Sequence, residues 1–126
     1  VIYAGTYSTV IATTNNFATG LVGTLGVRII DSSGTNIIAR RTTGITEPIS
    51  GSGFYVAALD LTALSAQPAA GHYFVFWDNG SVSPGNNAAE DLILHQTTTL
   101  SNALRAVGNT VISHNAENIS VGLFIA

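Results

Sequence analysis

Apolar and polar positions alternate in short runs along most of this chain, with a period near two that predicts β-strands rather than helices. Over 21–31, Leu21, Leu25, Val27 and Ile29 share one face while Thr24 and Arg28 take the other, and Asp31-Ser32-Ser33-Gly34 ends the run as a turn. A second short strand is predicted over 37–41 and a third over 45–49, where Pro48 restricts the piece to an edge or a strand end. After the break at Gly51-Ser52-Gly53, a strand over 54–61 sets Tyr55, Ala57, Leu59 and Leu61 against Phe54, Val56 and Ala58.

A Pro- and Ala-containing connection over 65–71 leads to the most hydrophobic strand, 72–78, with Tyr73, Val75 and Trp77 on one face and Phe74 and Phe76 on the other. Both faces of that strand want cover. Turn chemistry over 78–81 and at Pro84-Gly85-Asn86-Asn87 precedes a further strand at 92–95. In the last thirty residues the pattern changes: Leu100, Ala103, Leu104 and Val107 recur at helical spacing between a Thr98 or Thr99 cap and Gly108. Ile119, Val121, Leu123 and Ile125 then alternate with Ser120, Gly122 and Phe124 as a closing strand.

The expected fold class is therefore mainly β, an antiparallel β-sandwich with a short C-terminal helix and a terminal strand. Residues 1–17 read as an N-terminal arm or first strand, 18–96 as the sandwich, and 97–126 as helix plus strand, part of the same domain or its oligomer contact. Both terminal segments are expected to make contacts outside the sandwich. The core is predicted from Leu25, Val27, Ile29, Tyr55, Leu59, Tyr73, Val75, Trp77 and Leu92.

Composition sharpens this picture. The 126 residues are 46% hydrophobic and only 9% charged, against about 25% charged in an ordinary soluble domain. Cysteine is absent, which excludes disulfides, thiolate metal centres and thiol nucleophiles. Arg28, Arg40, Arg41 and Arg105 are the only Lys or Arg side chains, and the net charge is −3. Four scattered arginines make no phosphate-binding footprint, so nucleic acid is rejected as a partner. The uncharged stretch 1–27 is interrupted by Thr, Asn and Gly before it reaches membrane-spanning length and lacks the basic start of a secretory signal, so the chain reads as mature and soluble, with no membrane partner.

The stretch Gly71-His72-Tyr73-Phe74-Val75-Phe76-Trp77-Asp78-Asn79-Gly80, followed by Ala88-Ala89-Glu90-Asp91-Leu92, resembles the last two strands of immunoglobulin-like sandwiches in tailed-phage virion proteins. The strand Gly26-Val27-Arg28-Ile29-Ile30-Asp31 and the start at Gly53-Phe54-Tyr55 fit the same pattern, so the resemblance spans 20–96. It departs from antibody domains in lacking the inter-sheet cysteine pair and in carrying its tryptophan, Trp77, late in the chain. The resemblance implies capsid decoration or a tail component.

Catalytic and cofactor chemistry finds little footing. Gly51-Ser52-Gly53 lacks the spacing of a nucleophile elbow, and His72, His95 and His114 are far apart. Asp78, Glu90 and Asp91, with Asn79, Asn86 and Asn87, offer oxygens to calcium, but turn formation explains the same residues. Glu90 and Asp91 are neighbours on a strand and point to opposite faces, which argues against a shared acid–base site. The triplets Asn79-Gly80-Ser81 and Asn118-Ile119-Ser120 match the glycosylation pattern and carry no weight in so Asn- and Ser-rich a chain. An aromatic carbohydrate platform from Tyr55, Tyr73 and Trp77 competes with their use as core.

A surface with so little charge suits a protein covered by neighbours. The expectation is a non-enzymatic structural protein located in a phage virion, without cofactor or metal. Its partners are copies of itself in a homo-oligomer and other virion proteins. The interaction residues expected are Phe74, Phe76, Ile119, Val121, Leu123, Phe124 and Ile125. The alternative is a carbohydrate- or receptor-binding sandwich of adhesin type.

Overall fold

The structure, a computed structural model, describes residues 1–96. The expected helix over 98–108 and the strand over 119–125 lie outside the described residues. Eight strands run in chain order as β1 (Ile2–Gly5), β2 (Thr9–Thr14), β3 (Gly26–Asp31), β4 (Asn36–Arg41), β5 (Ile45–Thr46), β6 (Tyr55–Asp60), β7 (Gly71–Asp78) and β8 (Asn87–His95). They form a five-stranded sheet in the order β1-β8-β7-β3-β4 and a three-stranded sheet in the order β2-β6-β5.

With β2 to β8 taken as immunoglobulin strands B, C, C′, D, E, F and G, the larger sheet holds G, F, C and C′ and the smaller one B, E and D. Strand A, which borders B in the immunoglobulin ABED sheet, has no counterpart there among the described residues. The first strand instead lies parallel to β8, pairing Ile2 with Leu92 through Gly5 with His95. The remaining pairings are antiparallel. Residues 1–17, read from the sequence as an N-terminal arm or first strand, supply one strand to each sheet.

Every member of the predicted core is buried, joined by Val10, Ala12, Ile45, Leu61 and Leu94 among others. Tyr73 sits near the start of β7 and donates from its hydroxyl to the carbonyl of Ala69 at 2.7 Å. That bond is the tyrosine corner of immunoglobulin folds, pinning the connection from the smaller sheet onto the larger.

Several boundaries move for local reasons. The strand expected over 21–31 begins only at Gly26, because 21–25 close a turn in which the Thr24 and Leu25 N–H groups donate to the Leu21 carbonyl. The strand expected over 45–49 stops at Thr46, where Pro48 follows, and leaves Ile49 exposed. Leu61 leaves β6 for a 3₁₀ turn, Leu61–Ala63, capped by the Asp60 carboxylate, which accepts from the Thr62 N–H at 2.9 Å. Strand β8 extends back from Leu92 to Asn87, through alanines and a glutamate of poor strand propensity held by their pairing with β7.

Candidate functional site

The outer face of the larger sheet carries a cluster of charge and aromatic rings. Asp78 closes β7 opposite Gly26, with Phe76 opposite Arg28 one step back along the pair. The irregular register between β3 and β4 brings Arg40 over the same spot. Asp78 is 2% exposed and accepts from Arg28 Nη2 at 3.1 Å, from Arg40 Nε at 3.0 Å and from the Gly80 N–H at 2.9 Å. Arg40 Nη2 lies 2.8 Å from Asp78 Oδ1 and also donates to the Thr24 carbonyl at 3.2 Å. Burial pushes the Asp78 carboxyl upward, but Arg40, the Gly80 N–H and Arg28 together hold it below the ordinary aspartate value.

Gly26 makes this geometry possible, since a Cβ there would overlap the Arg40 guanidinium. The Arg28 guanidinium also lies 5.4 Å above the Phe76 ring centroid, and His72 packs on Phe74 with centroids 4.8 Å apart. Phe74 and Phe76, the described members of the expected interaction set, are thus half-buried on an outer sheet face under polar neighbours. The other members, Ile119 to Ile125, lie outside the described residues.

At the end of the sandwich where β2 stops and β6 starts, the loops 15–25 and 47–54 are fastened together. The Tyr55 hydroxyl, rising from the core, donates to the Ala18 carbonyl at 2.5 Å and accepts from the Leu21 N–H at 3.0 Å. Glu47 accepts from the Thr19 hydroxyl and the Gly53 N–H, both at 2.8 Å, and from the Gly20 N–H at 3.4 Å. These bonds, the Thr19 hydroxyl foremost, hold the Glu47 carboxyl below the usual glutamate value.

Between the end of β2 and the first half of β8 a cleft of about 330 Å³ opens, lined by residues 13–16, residues 88–90, Phe54 and Trp77. The Trp77 indole N–H is buried on this side of the core with no acceptor among the described residues. Glu90 is the one charged side chain of the lining among the described residues, and its Oε1 lies 3.5 Å from the amino group of Val1.

The other sequence candidates resolve into structural roles. Asp78 is committed to two arginines, the Asn79 amide donates to Asn86 Oδ1 at 2.9 Å, and the Asn87 amide donates to the carbonyls of Val82 and Ser83. The polar groups of the 78–87 loop therefore satisfy one another. Among the described residues no three His, Cys, Asp or Glu side chains converge as metal ligands. Ser52 donates to the Ile49 carbonyl inside a turn. Glu90 faces the cleft while Asp91 lies exposed on the outer face, 3.5 Å from His72. Tyr55, Tyr73 and Trp77 are core side chains, so they form no carbohydrate platform. His114 and the Asn118 triplet lie outside the described residues.

Sequence reasoning missed the Arg28–Asp78–Arg40 cluster, whose members are 50 and 38 positions apart. The signal available was the scarcity of charge itself: in a chain with four arginines and seven carboxylates, a strand-end Asp with half-buried arginines on neighbouring strands invites pairing. Comparison with family models, with curated proteins and with solved structures returns no match.

Proposed function

We propose that this chain is a non-enzymatic structural protein of a phage virion, a sandwich that assembles with copies of itself and with other virion proteins on a capsid or tail. The observation that carries this reading is the free edge of β2. Among the described residues its six residues, Thr-Val-Ile-Ala-Thr-Thr, pair with β6 on one side only, and they contain no charge and no proline. Soluble sheets ordinarily guard such edges with lysine, proline or a bulge. Ile11, in the middle of the strand, is 56% exposed.

An edge of this kind is safe when a neighbour covers it, and the low overall charge permits that approach. The phage assignment is supported by the resemblance of 71–80 and 88–92 to virion sandwiches and by the immunoglobulin strand order. The carbohydrate-binding alternative loses support because its three aromatic candidates are consumed by the core. Sedimentation across a hundredfold range of concentration, followed by placement of the chain in a virion reconstruction, tests the proposal. The expected outcome is a concentration-dependent oligomer and a symmetric site on the particle; a monomer throughout that is absent from particles overturns it.

A further inference from the structure

We propose that the cleft between β2 and β8 binds a single neutral sugar ring, a role that goes beyond the assembly reading and stands or falls apart from it. Strand β8 turns Leu92 and Leu94 into the core, and the same parity brings Glu90 and Ala88 to the inner face. Across the ladder Ala88 lies opposite Trp77 and Glu90 opposite Val75, and both of those partners are buried. On β2 the buried row of Val10 and Ala12 continues to Thr14. The inner faces of a sandwich ordinarily fill such positions with apolar side chains. Here a methyl, a carboxylate and a hydroxyl occupy them, and about 330 Å³ is left open. Sites for small ligands run from about 300 to 1,000 Å³, so the space suits one ring and not a chain of them.

Trp77 contributes an independent observation. It lines the cleft, and its indole N–H is buried with no acceptor among the described residues. Buried donors are nearly always satisfied, so an oxygen brought by a ligand meets a standing need. Trp77 acts here through that N–H and not through an exposed ring face, so the site requires no aromatic platform.

The lining selects the ligand's chemistry. Among the described residues it holds no Lys, Arg or His, and Glu90 repels anions. A metal ion or a simple ammonium offers the indole no acceptor. A hydroxyl both donates and accepts, so adjacent hydroxyls on one ring serve Glu90, the Thr13 and Thr14 hydroxyls and the Trp77 N–H together. Asn15 and Asn16, both exposed, add amide donors and acceptors, and half-buried Phe54 gives the C–H face of a ring an apolar side to pack against.

Trp77 is the only tryptophan of the chain, so a single indole N–H resonance reports on the site. The full chain is titrated with D-glucose, D-galactose, D-mannose and N-acetyl-D-glucosamine, each to about 50 mM, which captures millimolar dissociation constants. At least one sugar is expected to move that resonance downfield and saturably. Glu90→Gln is expected to weaken binding about tenfold, the difference between a charged and a neutral acceptor. Ala88→Leu, which fills the cleft, is expected to abolish it; should that chain fail to fold, Asn15→Ala, at an exposed position, takes its place and is expected to weaken binding severalfold. The proposal is overturned by no saturable shift with any of the four sugars, by binding that Glu90→Gln and the second variant leave unchanged, or by an equal response to sodium acetate or methylammonium chloride. None of these outcomes bears on the oligomeric state, which sedimentation reads separately.

Discussion

Replacing Asp78 with alanine removes the acceptor on which Arg28, Arg40 and the Gly80 N–H converge. A hydrogen bond to a charged group is worth about 1.5–3 kcal/mol, and a buried ion pair broken from one side costs about 3–5 kcal/mol. Here the orphaned partners are not sealed in. Arg28 and Arg40 keep 25% and 31% of their side chains exposed, so water recovers part of the loss. The expected destabilisation of Asp78→Ala is therefore about 2–4 kcal/mol, a fall of about 1–2 M in urea midpoint at ordinary slopes. Asp91→Ala, which removes a half-exposed partner of His72, serves as the control and is expected to cost less than about 1 kcal/mol.

The pH dependence separates an ionic role from a space-filling one. Asp78 titrates lower in the folded chain than in the unfolded one, where the value is about 3.9. Its stabilisation is thus complete above the unfolded value and is lost as pH falls through the folded value. Asp31, Glu47 and Asp60 are held low too, by the Ser33, Thr19 and Thr62 hydroxyls foremost, but they are common to both chains and cancel in the difference. The gap between wild type and Asp78→Ala should be constant near neutrality and close progressively below about pH 4. A gap unchanged down to pH 2, or no gap at pH 7, would refute the ionic account.

Three other substitutions probe separate parts of the frame. Tyr55→Phe leaves the Leu21 N–H and the Ala18 carbonyl without their partner and should cost about 1–3 kcal/mol, with faster hydrogen exchange at the Leu21 amide. Gly53→Ala puts a Cβ against the Phe17 carbonyl oxygen at a φ of 71°, so about 1–3 kcal/mol of strain is expected in denaturant unfolding, and an unchanged midpoint contradicts the close approach. Val75→Ala opens space in a fully buried position and should cost about 1–3 kcal/mol; no loss removes Val75 from the core.

Alternation exposed most of the sandwich in the sequence because β-branched and aromatic residues mark strands that bury one face. Every predicted core position is buried for that reason. The same criterion failed where other forces set the backbone. Leu21 and Leu25 share a parity with Val27, yet Gly20 and Gly23 at positive φ turn the chain there before the strand begins. Ala88, Ala89 and Glu90 carry no strand signal and are held extended by their pairing with β7. Asp78 was legible as a turn residue, and it does accept from the Gly80 N–H, but its two arginines are set by strand order and a register shift that no local pattern encodes.

The fate of the arginines gives the scarcity of charge its physical meaning. Two of the four are directed onto Asp78, and Arg41 donates to the Ala58 carbonyl, so the described fold turns three of its few cations inward onto its own acceptors. Solvation of the outer surface then falls largely to Thr, Ser and Asn, which hydrogen-bond water without repelling a like surface. Under the assembly proposal, long-range repulsion between copies is small, and backbone edges and shape are left to select the contact. Among the described residues the outer sides of β1, β2, β4 and β5 and the 87–91 half of β8 carry no paired strand, and two of these edges, β2 and 87–91, flank one cleft. Pairing along a β-edge draws its specificity from register, which a surface with little charge does not otherwise supply.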